Sequence, residues 1–98
     1  MNIQAMMKQA QALQKNMIKE KEEIDNKIYS GKSSFVEVEV KGNKQIEKIK
    51  INKDKIEEDE VELVEDLLCV ALNDAMKKID EETYSKLGKY TKGMPGLF

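Results

Sequence analysis

Three lysines near the N-terminus offer the clearest chemistry in this chain, because a regular row of ammonium groups suits contact with phosphate. Lys8, Lys15 and Lys19 fall within a stripe about 40° wide when residues are placed around an α-helix. Two interpretations fit this spacing. The lysines either solubilise the outer face of a helix, or they form a ridge that contacts phosphates without reading base sequence.

Other lysines lie in the second half of the chain, where Lys77, Lys78 and Lys86 occupy the C-terminal half of a second helical segment. The helix dipole favours cations near the C-terminal end of a helix. These lysines therefore either extend the ridge or are solvent-exposed charges that stabilise the helix. Every basic residue is a lysine, which disfavours bidentate recognition of guanine or phosphate. Any anion binding is expected to be geometrically tolerant.

Residues suited to catalysis or metal binding are scarce. The sequence has no histidine and a single cysteine, Cys69, so it offers neither a disulfide framework nor a common metal site. The glycines stand singly, without a phosphate-binding loop. The carboxylates between residues 57 and 62 are typical of a solvated helix start. We therefore expect no enzyme activity, no cofactor, no metal and no small-molecule substrate.

The ridge lies on a predicted helix that runs from about residue 2 to residue 25. It lacks glycine and proline, and its apolar residues recur at alternating intervals of three and four. This spacing is typical of a seam that packs against a partner helix, and the chain's own strands need not cover it. The seam therefore suggests a homodimer, with these candidate contact residues: Ile3, Met6, Ala10, Leu13 and Met17.

From residue 35 the apolar period changes from that of a helix to that of a strand. The sequence Gly42-Asn43 interrupts the alternation and predicts a two-residue turn, which would place Val36 opposite Ile49 and Glu37 opposite Lys48. Apolar side chains then share one face of the hairpin, although Ile46 falls on the polar face. A further short strand near residue 29, ahead of a turn at residues 31–34, is the least determined element.

A second amphipathic helix is predicted from Glu60 to Leu87, with Asp59 as its cap and Gly88 as its end. The predicted architecture is a single α+β domain over residues 1–87, made of a helix, two or three antiparallel strands and a helix. Residues 88–98 are predicted to form a flexible C-terminal tail.

Charge and hydropathy limit the cellular locations and partners that are expected. The net charge is −2, and 12 acidic residues lie between residues 53 and 87, so the chain as a whole lacks the basic character usual for nucleic-acid binding. No apolar run approaches the ~20 residues that span a bilayer. A cytoplasmic location with no membrane partner is the expectation.

Five sequence blocks, in the same order and over nearly the whole chain, resemble the YbaB/EbfC family of bacterial nucleoid-associated proteins. The resemblance implies a homodimer of helix, three strands and helix, whose projecting helices bind duplex DNA with little sequence preference. It also implies a location in the cytoplasmic nucleoid, and it includes Lys8 in its first block. The blocks are Met6-Met7-Lys8-Gln9-Ala10-Gln11, Val38-Glu39-Val40-Lys41-Gly42, Ile49-Lys50-Ile51-Asn52, Glu65-Asp66-Leu67 with Ala71-Leu72-Asn73-Asp74-Ala75, and Gly93-Met94-Pro95-Gly96.

Two hypotheses from different classes follow. The first is a dimer that grips DNA phosphates with lysines on paired helices and affects DNA organisation or gene regulation. The alternative is a structural or adaptor dimer that binds another protein through its helix seams, without binding DNA.

Overall fold

The N-terminal helix forms as predicted. In the computed structural model, which describes residues 2–90, helix α1 runs from Ile3 to Asn26. Asn2 caps it, because its Oδ1 accepts hydrogen bonds from the backbone N–H groups of Gln4 and Ala5 at 3.0 and 3.3 Å. The cap satisfies two of the donors that a helix start leaves unpaired, so the helix is regular from its first turn.

The second helix, α2, runs from Val61 to Leu87 and follows a single 3-10 turn at Glu58–Glu60. The predicted cap at Asp59 is wrong. Glu57 and Glu60 form a capping box instead, in which the backbone N–H of Glu57 donates to Oε1 of Glu60 at 3.1 Å, so the cap lies two residues earlier than predicted.

Gly88 ends α2 as predicted, with a helical φ of −57°. A short 3-10 turn over Gly88–Tyr90 follows, and Tyr90 packs partly against the core. The remainder of the predicted tail, residues 91–98, lies outside the described residues.

Three antiparallel strands in the order β1-β2-β3 complete the α+β fold: β1 is Ile28–Ser33, β2 is Val36–Lys41 and β3 is Ile46–Ile51. The first strand is longer than expected, and the predicted turn at residues 31–34 begins too early. The turn consists of Ser34 and Phe35, and Ser34 takes a φ of 53°.

Gly31 lies inside β1 because α2 passes directly over it. A Cβ atom at this position would overlap the carbonyl oxygen of Ala71 and lie 2.8 Å from the backbone nitrogen of Ala75. The glycine therefore serves the close approach of helix and sheet, where the sequence had indicated a turn.

The β2–β3 hairpin keeps its predicted faces but not its predicted register. Val36 lies opposite Ile51 instead of Ile49, and Glu37 lies opposite Lys50, each displaced by two residues. Because side chains alternate with a period of two, this displacement leaves the apolar and polar faces unchanged.

The displacement of two residues has two causes: a connection that is one residue longer than predicted, and an extra residue on β3. The backbone N–H of Lys41 donates to the carbonyl of Gln45 at 2.9 Å, and Lys44 takes a φ of 73°. A longer loop, in which Lys44 has the left-handed conformation, replaces the predicted two-residue turn at Gly42-Asn43.

An irregularity in the pairing corrects the predicted position of Ile46. Glu39 lies opposite Lys48 while Val40 lies opposite Ile46, so Glu47 is an extra residue on β3. This bulge shifts the alternation by one residue and brings Ile46 onto the apolar face.

The buried core lies between α2 and the inner face of β1 and β2, while β3 is left to one side. The apolar residues of β3 remain partly exposed, at 46% for Ile46, 45% for Ile49 and 38% for Ile51. Within residues 2–90, neither helix is long and apolar enough to cross a bilayer. The core comprises Ile24, Tyr29, Val36, Val38, Val40, Ala71, Ala75, Ile79 and Leu87.

Candidate nucleic-acid interface

The first part of α1 projects from the rest of the molecule. Every side chain from residue 2 to residue 16 is exposed, and the molecule measures 71 Å along its longest axis against 20 and 14 Å. The helix joins its own core only from Met17, which is half-buried, to Ile24, which is buried. We call residues 2–19 the arm.

The arm carries only positive charge. Lys8, Lys15 and Lys19 are its charged side chains, and no acidic residue occurs between residues 2 and 19. Four acidic residues follow between residues 20 and 25, where the helix packs on the body. The sign of the charge therefore changes close to the point at which the helix leaves the core.

The lysine ridge points away from the body of the molecule. Met17 and Ile24, which pack into or against the core, lie about 170° around the helix from the centre of the ridge. All three ridge lysines are exposed, and none makes an ion pair in the part of the chain that the structure describes. Their ammonium groups are thus available to an anionic partner.

Ion pairs join the C-terminal end of α1 and the residue after it to α2 and to the 3-10 turn that follows α2. Lys89 Nζ lies 3.3 Å from Glu20 Oε1, and this carboxylate raises the pKa of Lys89. Lys27 Nζ lies 3.0 Å from Glu82 Oε1 and 5.3 Å from the ring centroid of Tyr29. Burial, and then the Glu82 carboxylate, raise the pKa of Tyr29 above its usual range, while the Tyr29 hydroxyl, with the ammonium of Lys27, lowers the pKa of Glu82.

Lys78 is exposed and also hydrogen-bonds to the main chain of the sheet. Its Nζ donates to the carbonyl oxygen of Ser30 at 2.8 Å, and Asp74 Oδ2 accepts from the backbone N–H of Lys32 at 3.2 Å. The two helix side chains lie 3.5 Å apart. Together they cover outward-facing main-chain groups of β1, the kind of edge that otherwise pairs with a foreign strand.

The other two α2 lysines lie in different settings. Lys86 lies beside the base of the arm, in a shallow cleft that Glu20 and Glu23 also line. Lys77 lies in a broad depression of α2 with Asp80 and Glu81. The structure therefore gathers three of the six predicted lysines on the arm and places one at its base, and it leaves Lys77 among carboxylates and Lys78 at the sheet edge.

The predicted dimer seam lies along the side of the arm that faces the direction of the core. Its first four positions extend beyond the body and are exposed, whereas Met17 already packs against the chain's own core. The exposed fractions are 71% for Ile3, 50% for Met6 and 58% for Leu13, and Ala10 is exposed as well.

Sequence reasoning missed two groups of residues. The pairs Glu20–Lys89 and Lys27–Glu82 join residues 69 and 55 positions apart, so no local pattern reveals them. The edge-covering pair Asp74–Lys78 has the helical i,i+4 spacing, which indicates that the two side chains are neighbours but does not show what they cover.

The fold and the arm define a small α+β protein of helix, three-stranded sheet and helix that presents a basic helix to its surroundings. The chain belongs to the YbaB/EbfC DNA-binding family, whose model matches residues 1–94. This finding confirms the resemblance seen in the sequence. Because the family is one of DNA-binding proteins and not of enzymes, it also confirms that the chain is not an enzyme.

Named relatives cover almost the whole chain. A "Nucleoid-associated protein" of Ligilactobacillus salivarius (strain UCC118) is 42% identical over 99% of this chain and 95% of its own length. A "Nucleoid-associated protein" of Lactococcus lactis subsp. cremoris (strain MG1363) is 45% identical over 97% of this chain and 98% of its own.

A solved structure is similar in fold. The crystal structure of uncharacterized protein HP0035 from Helicobacter pylori matches with a TM-score of 0.73 and 21% sequence identity. The match covers 92% of this chain and 97% of the other. It supports the helix, sheet and helix arrangement.

Proposed function

We propose that this protein is a nucleoid-associated homodimer that binds duplex DNA with little sequence selectivity and acts in DNA organisation or gene regulation in the cytoplasm. Lysines on its projecting helices contact the phosphate backbone. The family and the names of the relatives support DNA as the partner.

One observation carries the proposal: a projecting helix with three exposed lysines and no acid, on a chain whose net charge is −2. Phosphate neutralisation by lysine is favourable because it releases counterions from the duplex. The acidic start of α2 would repel phosphate. Because the arm has lysines and no acidic residue, a protein of negative net charge keeps one surface that attracts DNA.

The low selectivity follows from the type of donor. A lysine ammonium is a point charge without the planar fork with which arginine reads guanine. Contacts to phosphate fix the position of a protein on the duplex and carry no direct base information. Lys77, Lys78 and Lys86 contribute less than the arm lysines, because carboxylates or main-chain groups occupy their surroundings.

The homodimer is proposed to form through β3. Asp74 and Lys78 cover the outer edge of β1, whereas no side chain within residues 2–90 hydrogen-bonds to the outer edge of β3. The apolar residues of β3 are half-exposed, as are Val61 and Leu63 at the start of α2, at 50% and 47%. Two copies related by a two-fold axis would bury these surfaces and leave both arms projecting.

A structural or adaptor dimer is the second candidate, and the exposed seam of the arm favours it. Leu13 is 58% exposed and Ile3 is 71% exposed, so a partner helix could cover apolar surface there. On this alternative the lysines only keep the arm soluble, and DNA affinity is absent.

Fluorescence anisotropy of a labelled random-sequence duplex, titrated at about 50 and about 200 mM salt, separates the two candidates. We expect the logarithm of the association constant to fall with the logarithm of salt concentration, with a slope of about −0.9 for each phosphate contacted. We also expect A·T-rich and G·C-rich duplexes to bind within a few-fold of each other. Absence of binding at the lower salt would favour the adaptor dimer.

A further inference from the structure

We infer that Gln4 and Gln11 belong to the DNA-contact surface and donate hydrogen bonds to the phosphate backbone alongside the lysines. This inference rests on the proposed function and deepens it by naming uncharged contact residues. Neither glutamine is one of the lysine or seam positions considered so far.

The two glutamines and the lysines share one stripe of the arm. At about 100° per residue, Gln4, Lys8, Gln11, Lys15 and Lys19 fall within about 80° of the helix circumference, in steps of four, three, four and four residues. The stripe is about 22 Å long. All five residues are exposed, so the row can meet an extended backbone along its length.

The neutrality of these positions is informative because glutamate would stabilise the helix there. Gln4 precedes Lys8 by four residues, and Gln11 precedes Lys15 by four. An acidic residue four positions before a lysine is the favourable orientation for a helical ion pair. The body uses such a pair at Asp74 and Lys78.

At both equivalent positions on the arm, the chain carries the amide that matches glutamate in shape. The arm has six amide side chains and no carboxylate. Amides leave the lysine ammonium groups uncompensated and place no negative charge beside a phosphate. A requirement for solubility alone would be met equally well by glutamate.

The amide group also suits the chemistry of the partner. Its NH₂ has two donors, and phosphate and sugar oxygens receive half to two-thirds of protein–DNA hydrogen bonds. Because an amide is neutral, its contact releases no counterion. Gln4 and Gln11 should therefore add affinity without adding to the salt dependence, and without adding sequence preference.

The chain supplies a matched control for this inference. Gln9 and Gln14 are exposed on the same helix but lie about 120° and about 100° from the centre of the stripe. The double variants Q4A/Q11A and Q9A/Q14A therefore have the same composition, charge and change in helix propensity. They differ in which face of the arm they alter.

Anisotropy with the same random-sequence duplex compares the two variants. We expect Q4A/Q11A to lose about tenfold in affinity with an unchanged salt slope, and Q9A/Q14A to lose less than about twofold. Equal affinities for the two variants would overturn the inference while leaving lysine-mediated binding intact. If the unaltered protein shows no salt-dependent binding, the proposed function itself fails.

A second pair of variants tests the inference with glutamate, which should stabilise the helix and weaken DNA binding. Q4E/Q11E should increase the helicity seen by circular dichroism, because each glutamate can pair with the lysine four residues later. It should bind DNA at least tenfold more weakly than Q9E/Q14E, which adds the same charge off the stripe. Binding of Q4E/Q11E as tight as that of Q9E/Q14E would overturn the inference.

Discussion

The Lys78 ammonium nitrogen lies 2.8 Å from the carbonyl oxygen of Ser30, so a helix side chain closes the outer edge of the first strand. Removing it by Lys78→Ala should cost about 1 kcal/mol in the free energy of unfolding, because a strand-edge carbonyl loses its charged donor. It should also promote association through the uncovered edge. Urea denaturation and size-exclusion chromatography at rising concentration measure the two effects.

Lys77→Ala is the matched control, since Lys77 is a neighbouring exposed lysine without a main-chain contact in the described structure. We expect it to leave both stability and association unchanged. Equal behaviour of the two variants would show that the contact with Ser30 does not protect the edge.

Gly31 and Gly88 should respond in opposite ways to an added methyl group. Gly31→Ala would drive a Cβ into the backbone of Ala71 and separate α2 from β1, at a cost of at least about 2 kcal/mol. Gly88→Ala meets no atom within 4 Å and keeps a helical φ, so it should leave stability unchanged or slightly raised. Thermal denaturation of both variants checks this, and a stable Gly31→Ala protein would contradict the packing described.

The two apolar surfaces can be tested separately as dimer interfaces. Ile49→Asp places a carboxylate on the exposed face of β3, and Leu13→Asp places one on the seam of the arm. We expect sedimentation equilibrium to show a dimer for the unaltered protein and for Leu13→Asp, and a monomer for Ile49→Asp, because a buried unpaired carboxylate is costly.

Circular dichroism should confirm that both variants remain folded, so that loss of the dimer is not loss of the fold. Dissociation caused by Leu13→Asp alone would assign the interface to the predicted seam of the arm. A monomeric unaltered protein would reject the homodimer.

Stability should decline above about pH 10 because of Tyr29. Its folded pKa is raised above the ordinary value of 10.0 by burial and by Glu82, so the folded state holds this proton more tightly than the unfolded state. The contribution is fully present below pH 10.0 and is lost as the pH rises towards the folded pKa. Urea denaturation at several pH values measures the slope.

Tyr29→Phe should make this alkaline decline shallower, because it removes the shifted group. Tyr84→Phe should not, since Tyr84 is 81% exposed. Because neither substitution changes a lysine, the comparison isolates the contribution of Tyr29. Identical slopes for the two variants would contradict the assignment to Tyr29.

Both helices, the hairpin faces and the lysine ridge could be predicted from the sequence because each depends on local periodicity. The register of β2 and β3 could not, because it depends on a loop one residue longer than predicted and on the extra residue Glu47, which together leave the alternation unchanged. The role of Gly31 could not be predicted from the sequence either. A glycine beside two serines indicates a turn, and only the position of α2 shows that it permits close packing.

For the candidate site, exposure and angular position on the arm followed from the sequence, whereas the surroundings of the α2 lysines did not. Lys78 and Lys77 are adjacent in the sequence, yet one hydrogen-bonds to a strand and the other lies among carboxylates. The pairing of Glu20 with Lys89 likewise depends on how α1 and α2 meet.

The most direct test of the account is to remove the same amount of charge from the arm and from the body. K8Q/K15Q/K19Q neutralises the ridge, and K32Q/K44Q/K55Q neutralises three exposed lysines that lie off both the arm and β3. Anisotropy with a random-sequence duplex should show a large loss of affinity for the arm variant, with a salt slope shallower by about 0.9 for each lost phosphate contact, and little change for the body variant. Equal losses for the two variants would contradict the account, because they would show that DNA responds to net charge and not to the arm.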